Sequence, residues 1–235
     1  MKSLLEPFKV ILLDMNGTFM NGCDRFSDGE DYAATYRTIG GQQLSNSQVN
    51  TAVQACYDLM ATYYENPARC DNFPQVADTL HSLPQTDGMA EEELIYLERV
   101  IALHELGTVS PEYSYFLQQL ATTHELGLVT NIWSQKQFWL EELERVGVRH
   151  LFKVLVFSSD SSSMKPSPKL YEEALSAFTV EREQVVFIGD SLQFDIRGAK
   201  AVGLATIWIQ GVQKYSNEAD AVIKDLLDLQ KVSSL

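Results

Sequence analysis

Positive charge is scarce in this 235-residue chain: 18 Lys and Arg stand against 32 Asp and Glu, a net charge of −14. A sequence-independent grip on nucleic acid needs many Lys and Arg contacts to phosphates, and an anionic membrane surface repels so acidic a chain, so neither is expected as a partner. Cysteine is rarer still. Cys23, Cys56 and Cys70 are odd in number and show no CxxC spacing, which argues against a disulfide framework and a thiolate zinc site and fits free thiols in a reducing cytoplasm. Long apolar runs are also missing. The run from Val10 to Leu13 is too short for a signal segment or a membrane span, and an aspartate ends it. What remains is an ordinary globular composition, 45% hydrophobic and 21% charged, with length enough for one sizeable core and an inserted subdomain. An anionic substrate must then be held by a few local donors or a metal, because the overall field repels it.

The apolar pattern divides the chain. Residues 9–14 read as a strand. From about residue 25 to 106 no strand pattern occurs, and residues 47–64 and 90–106 carry apolar residues spaced by three and four, the mark of amphipathic helices. Between them Pro67, Pro74, Pro84 and Gly88 call for turns and short helices. Beyond Ser110 strands and helices alternate: strands at 127–131, 154–158, 185–189 and 205–209, helices at 111–125, 134–146, 168–178, 194–202 and 221–229. Short apolar runs alternating with amphipathic helices predict an α/β fold, a three-layer, doubly wound parallel sheet. Residues 1–20 and 107–235 would form it, and residues 21–106 an all-helical second unit.

Four polar clusters follow predicted strands: Asp14-Met15-Asn16-Gly17-Thr18, Thr130-Asn131, Lys165-Pro166-Ser167-Pro168, and Gly189-Asp190-Ser191 with Asp195 beyond. Each has a plain structural reading: a turn, a helix cap, a surface lysine, a capped loop. In a parallel sheet, however, the strand ends point one way and the clusters converge. Together they offer carboxylates, an amine, hydroxyls and an amide, which suit a hard cation and a phosphoryl group.

The segments VILLDMNGTFM, LGLVTNIW, MKPSPKLY and VVFIGDSLQFDIRGA, spread over residues 10 to 201, resemble those of the haloacid dehalogenase-like (HAD) superfamily of hydrolases with a helical cap inserted after the first core strand. The resemblance implies roles by position. Asp14 is the nucleophile and forms an aspartyl-phosphate. Its second oxygen, the Asn16 carbonyl and Asp190 ligate Mg²⁺. Thr130 and the Asn131 backbone N–H bind phosphoryl oxygens, Lys165 supplies countercharge, and Asp195 supports the metal or Lys165 from behind. The implied substrate is a small phosphorylated metabolite, and the implied protein a cytoplasmic monomer or homodimer.

One residue departs from that pattern. Phosphatases of the superfamily carry a second Asp two positions after the nucleophile, where it protonates the leaving oxygen and then activates water. Here Asn16 stands there, and a carboxamide neither gives nor takes a proton at neutral pH. The chain is then a slow phosphatase or one suited to good leaving groups, or it does other chemistry, or Asn16 is itself altered, by design or by deamidation next to Gly17. Two members of the superfamily bound the other chemistry. Phosphonoacetaldehyde hydrolases need a cap lysine, and no lysine occurs between Lys9 and Lys136. Metal-free 2-haloacid dehalogenases need a cap arginine for the substrate carboxylate, for which Arg25, Arg37 and Arg69 are available, but Asp190 sits at a metal-ligand position. A non-catalytic relative that binds a phosphorylated ligand is the remaining alternative. The aromatic residues Tyr32, Tyr36, Tyr57, Tyr63 and Tyr64 read mainly as core of the helical unit, Arg37 and Arg69 as candidates for a second anionic group of the substrate, and Trp133 as a cleft residue.

Overall fold

The computed structural model describes residues 4–27, 29–210 and 217–230; the rest of the expected core segments, 1–3, 211–216 and 231–235, lies outside them. Six strands form a parallel sheet: β1 (Val10–Leu13), β4 (Glu125–Thr130), β5 (Phe152–Phe157), β6 (Val185–Gly189), β7 (Ala205–Ile209) and β8 (Ala221–Ile223), in the order β5-β4-β1-β6-β7-β8. β1 lies between β4 and β6, in register from Val10↔Glu125 and Val10↔Val185 to Leu13↔Leu128 and Leu13↔Ile188. All four β1 residues are fully buried because the pleat gives each face its own core. Ile11 and Leu13 join Leu126, Leu128, Val186 and Ile188 on one face. Val10 and Leu12 join Val129, Val185 and Phe187 on the other.

Helices cover both faces. α5 (Pro111–Ala121) and α6 (Gln137–Arg145) pack Phe116, Leu117, Trp139 and Leu143 on the first face. On the second, α7 (Pro168–Leu175) and α8 (Arg197–Ala201) pack Leu170, Tyr171, Ala174 and Ala199. The element order of the α/β reading holds. At its end, residues 221–229 are not a helix. Ala221–Ile223 pairs with β7 as the edge strand, and one 3-10 turn, Leu226–Gln230, follows. Three apolar residues satisfy a ladder as readily as a helix face, and the Leu226/Leu229 spacing that suggested helix belongs to the turn, where both are buried.

Two short strands had no signal in the sequence. β2 (Met20–Asn21) and β3 (Thr108–Val109) pair antiparallel and bring the two ends of the helical stretch together. Between them lie α1 (Tyr32–Thr38), α2 (Asn46–Tyr64), α3 (Val76–Ser82) and α4 (Glu91–Glu105). α2 begins at a reciprocal capping box in which the Ser45 hydroxyl accepts from the Gln48 N–H and the Gln48 side chain accepts from the Ser45 N–H. These helices enclose a separate core of Tyr32, Tyr36, Val53, Met60, Leu97 and Ile101, joined by Met164 from the sheet's side. Arg25 ties the two connections, donating to the carbonyls of Gly22, Leu103 and Leu106.

Gly127 marks a tight point inside the sheet. A Cβ there would lie 2.6 Å from Leu12 Cδ2 and 3.2 Å from Phe178 Cζ. Gly127→Ala is expected to destabilise the fold by about 1–3 kcal/mol through overpacking, read as a lower urea midpoint at unchanged slope.

Candidate active site

The carboxyl ends of β1, β4 and β6 deliver the polar clusters to one place, as the strand direction requires. Asp14, first residue past β1, is held by its own N–H on the Ile188 carbonyl at 2.9 Å and is 5% exposed. Lys165 is 2% exposed, and its ammonium donates to Asp14 Oδ1 and to Asp195 Oδ1, each at 2.6 Å. Burial disfavours that charge, and the two carboxylates more than reverse the penalty, so the Lys165 pKa lies above the ordinary lysine value. Asp195 takes a second bond, from the Ser191 N–H at 2.8 Å. Burial lifts its pKa to about 6 against the pull of Lys165.

Asn131 positions Lys165 rather than facing it. Its side-chain oxygen accepts from the Lys165 N–H at 2.8 Å, and its amide donates to the Lys165 carbonyl at 3.3 Å. Thr130 closes β4 fully buried, with its hydroxyl unpartnered. The loop before Lys165 is packed: Ser158 bonds both the N–H and the carbonyl of Ile132, and the Met164 N–H reaches the Cys70 carbonyl of the helical unit at 2.7 Å. Asp71 of that unit accepts from Ser167 at 2.7 Å and Ser163 at 3.2 Å.

Three carboxylates, Asp14, Asp190 and Asp195, bring oxygens within 4.8 Å of one another. Asp190 lies so close to Gly17 that a Cβ there would meet its carboxylate at 2.4 Å; Gly17 also has φ +75°, a conformation open to glycine. Asp190 opens to the cleft, yet the hydration it loses, then the charges of Asp14 and Asp195, push its pKa up to about 8. Three carboxylates facing one lysine leave excess negative charge. Asp195 is engaged by Lys165 and Ser191. That leaves Asp14 Oδ2, which accepts a long bond from Thr18 at 3.3 Å, and Asp190. The Asn16 side-chain oxygen beside them is buried without a partner. Hard oxygen donors and uncompensated charge fit a divalent cation of the Mg²⁺ type.

A cavity of about 350 Å³ opens over these groups, and Asp14, Asn16, Asn131, Lys165, Asp190 and Asp195 all line it; Thr130 does not. Its opposite wall comes from the helical unit and held surprises. Tyr57 and Tyr64 face the cavity, whereas Tyr32 and Tyr36 are core and Tyr63 lies under the Arg69 guanidinium. A signal was present: Tyr57, Ala61 and Tyr64 recur at i, i+4 and i+7 on one face of α2. Glu105 also lines the cavity. It continues the buried stripe of Leu94, Leu97 and Ile101 on α4, and its carboxylate accepts from the N–H groups of Trp133 at 2.5 Å and Ser134 at 3.0 Å. It therefore joins the helical unit to the loop after β4.

This geometry belongs to a hydrolase with a carboxylate centre at the switch point of a doubly wound sheet. The profile of the haloacid dehalogenase-like hydrolase family matches residues 11–209, and the chain belongs to that family. It is 35% identical over 98 residues to a glyceraldehyde 3-phosphate phosphatase of Pyrococcus furiosus, a match covering 39% of this chain and 41% of that enzyme. Against a phosphoserine phosphatase of Thermus thermophilus the identity is 33% over 93 residues, 39% of this chain and 37% of the other. The matched region thus spans about two fifths of these curated relatives. A crystal structure of a HAD phosphatase from Thermococcus onnurineus superposes with a TM-score of 0.62 at 26% identity, covering 97% of this chain and 98% of that one. Among the described residues no helix is long and apolar enough to cross a membrane.

Burial, then the charge of Asp24, pushes Glu105 up to about 8 against the two N–H groups that favour its anion. Glu105→Gln replaces one acceptor by an NH₂ facing a backbone N–H and is expected to cost about 1–3 kcal/mol. Because the folded pKa is raised, the folded chain keeps a proton that the unfolded chain releases near pH 4.5. Stability from this group is full at low pH and lost as pH rises through about 8, so the wild-type margin over Glu105→Gln narrows from pH 5 to 8. Urea titrations at both pH values read this.

Proposed function

We propose that the chain is a Mg²⁺-dependent phosphatase that transfers a phosphoryl group from a small phosphomonoester to Asp14 and then to water. The observation that carries this is the buried Lys165 ammonium bridging Asp14 and Asp195, with Asp190 in the same carboxylate cluster and all four groups lining one cavity. The family and the phosphatases among its relatives support the same reading. Asp14 Oδ2, the Asn16 carbonyl and Asp190 would hold the ion, whose charge would draw the phosphoryl oxygens toward the aspartates.

The chain's own groups account for the rest. Lys165 donates to Asp14 Oδ1 and fixes the orientation of the carboxylate, which leaves Oδ2 outside that pair. Asp14 attacks phosphorus, a new O–P bond forms, and the bond to the leaving oxygen breaks with its electron pair going to that oxygen. Water then attacks the aspartyl-phosphate, releasing inorganic phosphate and restoring the carboxylate. The Asn131 N–H is assigned to the phosphoryl oxygens; Thr130, buried outside the cavity lining with an unpartnered hydroxyl, would join it by turning that hydroxyl inward, and Asp195 keeps Lys165 in place. Residues 21–106 act as a cap whose inner wall chooses the leaving group. Asn16 has no proton for the leaving oxygen, so turnover of alkyl esters is slow.

The dehalogenase alternative lacks its cation. Among the described residues no arginine lines the cavity. Arg25 is engaged by three carbonyls, Arg37 donates to the Gly41 and Leu44 carbonyls beside the Tyr36 ring, and Arg69 stacks on Tyr63.

With acetyl phosphate or 4-nitrophenyl phosphate, turnover is expected in Mg²⁺ and absent in EDTA. Asp14→Asn abolishes it, and Asn16→Asp raises kcat on poor leaving groups by about 10²–10⁴-fold, the worth of a general acid. Absence of turnover in both wild type and Asn16→Asp contradicts the enzyme reading.

A further inference from the structure

Resting on the phosphatase reading, we infer that the natural leaving group is aromatic and carries no second anion: the substrate class is an aryl phosphate with a neutral or cationic ring. Three features of the cavity lead there.

The first is an aromatic wall that spans both halves of the molecule. α2 contributes Tyr57 and Tyr64, the loop after β4 Trp133, and the turn after β6 Phe194. The rings form one band, with centroids 5.5 Å apart for Tyr57–Trp133, 5.7 Å for Tyr64–Trp133 and 4.5 Å for Tyr64–Phe194. Between the tyrosines on the α2 face stands Ala61, also in the lining; its single methyl leaves depth where a longer side chain would fill the gap. A flat ring seated against such a wall gains stacking and edge contacts that a three-carbon acid lacks.

The second is charge. Beyond Lys165, whose ammonium is already shared by Asp14 and Asp195, no cationic side chain among the described residues lines the cavity, and the cap-side wall carries Asp24 and Glu65. Of the four arginines of residues 21–106, Arg25, Arg37 and Arg69 are engaged elsewhere and Arg99 is exposed and outside the cavity lining. A leaving group with its own anion would face like charge without a partner; a neutral or cationic one would not.

The third is Asn16. With no proton available at that position, the leaving oxygen departs as an anion. A phenolate does so far more readily than an alkoxide, since a phenol ionises near pH 10, about the tyrosine value.

The test is a panel of phenyl phosphate, 3-phosphoglycerate, phosphoglycolate and acetyl phosphate, measured as kcat/KM on wild type and as calorimetric affinity for Asp14→Asn with Mg²⁺. Phenyl phosphate is expected to exceed both carboxylate-bearing esters by at least about 100-fold, the scale of one unrelieved like-charge contact. Tyr57→Ala should lower the phenyl-to-acetyl phosphate ratio about tenfold, and Glu65→Lys, an exposed change that spares packing, should raise 3-phosphoglycerate relative to phenyl phosphate. Parity or preference for the carboxylate-bearing esters overturns the inference, as does a ratio that neither variant moves. If acetyl phosphate alone is turned over, the phosphatase reading stands and the leaving-group inference falls. If wild type turns over nothing, the phosphatase reading falls, and the affinities of Asp14→Asn decide the ring preference by themselves.

Discussion

A single ammonium group organises this molecule. Lys165 is buried between Asp14 and Asp195, 2.6 Å from each, and burying that charge is tolerable only because both carboxylates meet it. Each of the three comes from a different segment: the end of β1, the loop after β5 and the turn after β6. Their meeting requires β1 to lie at the centre of the sheet, between the strand that positions Asn131 and the strand that ends at Gly189. Gly189 must be glycine for the same reason, since a Cβ there would meet the Asp195 carboxylate at 2.4 Å. Asn131 then fixes the Lys165 backbone from both sides. Fold and site are one arrangement: the sheet brings the charges together, and the charges hold the loops.

The site was legible because its parts sit directly after strands, and strands buried on both faces announce themselves as unbroken apolar runs. Asp14 and Asp190 were visible as polar residues that end such runs, Lys165 and Asp195 as members of the polar clusters a few residues beyond, and all four line one cavity. For Asn131 the residues pointed to the backbone N–H; its side chain adds a hold on Lys165, a contact between residues 34 apart that no local pattern encodes. The edge strand at Ala221–Ile223 was read as helix because a three-residue apolar run carries no period of its own. β2 and β3 were invisible for the same reason, and their pairing links positions nearly ninety residues apart.

The helical unit was harder to read than the sheet. Its helices followed from spacing, but which face looks into the cavity depends on how the unit seats on the sheet. That seating uses backbone atoms: Glu105 on the Trp133 and Ser134 N–H groups, Cys70 on Met164, Ser162 on Phe73. Beside the Tyr57, Ala61 and Tyr64 face of α2, a glutamate continuing an apolar stripe was the available hint, and it marks a carboxylate that bonds across to the sheet's loop. The same seating turns Tyr57 and Tyr64 toward the carboxylate centre while Tyr32 and Tyr36 stay in the helical core. Aromatic residues of one composition thus divide into packing and lining by their turn of helix alone.

The central claim is that Asp14 accepts the phosphoryl group while Lys165 holds it in place. It is tested most directly by quenching the wild-type protein in acid during incubation with acetyl phosphate and Mg²⁺, then mapping the phosphoryl group by peptide mass spectrometry. The account predicts one added phosphoryl group, on the peptide that contains Asp14, and none on Asp14→Asn. A wild-type protein that stays unlabelled while it turns over substrate, or a label that survives in Asp14→Asn, would contradict it.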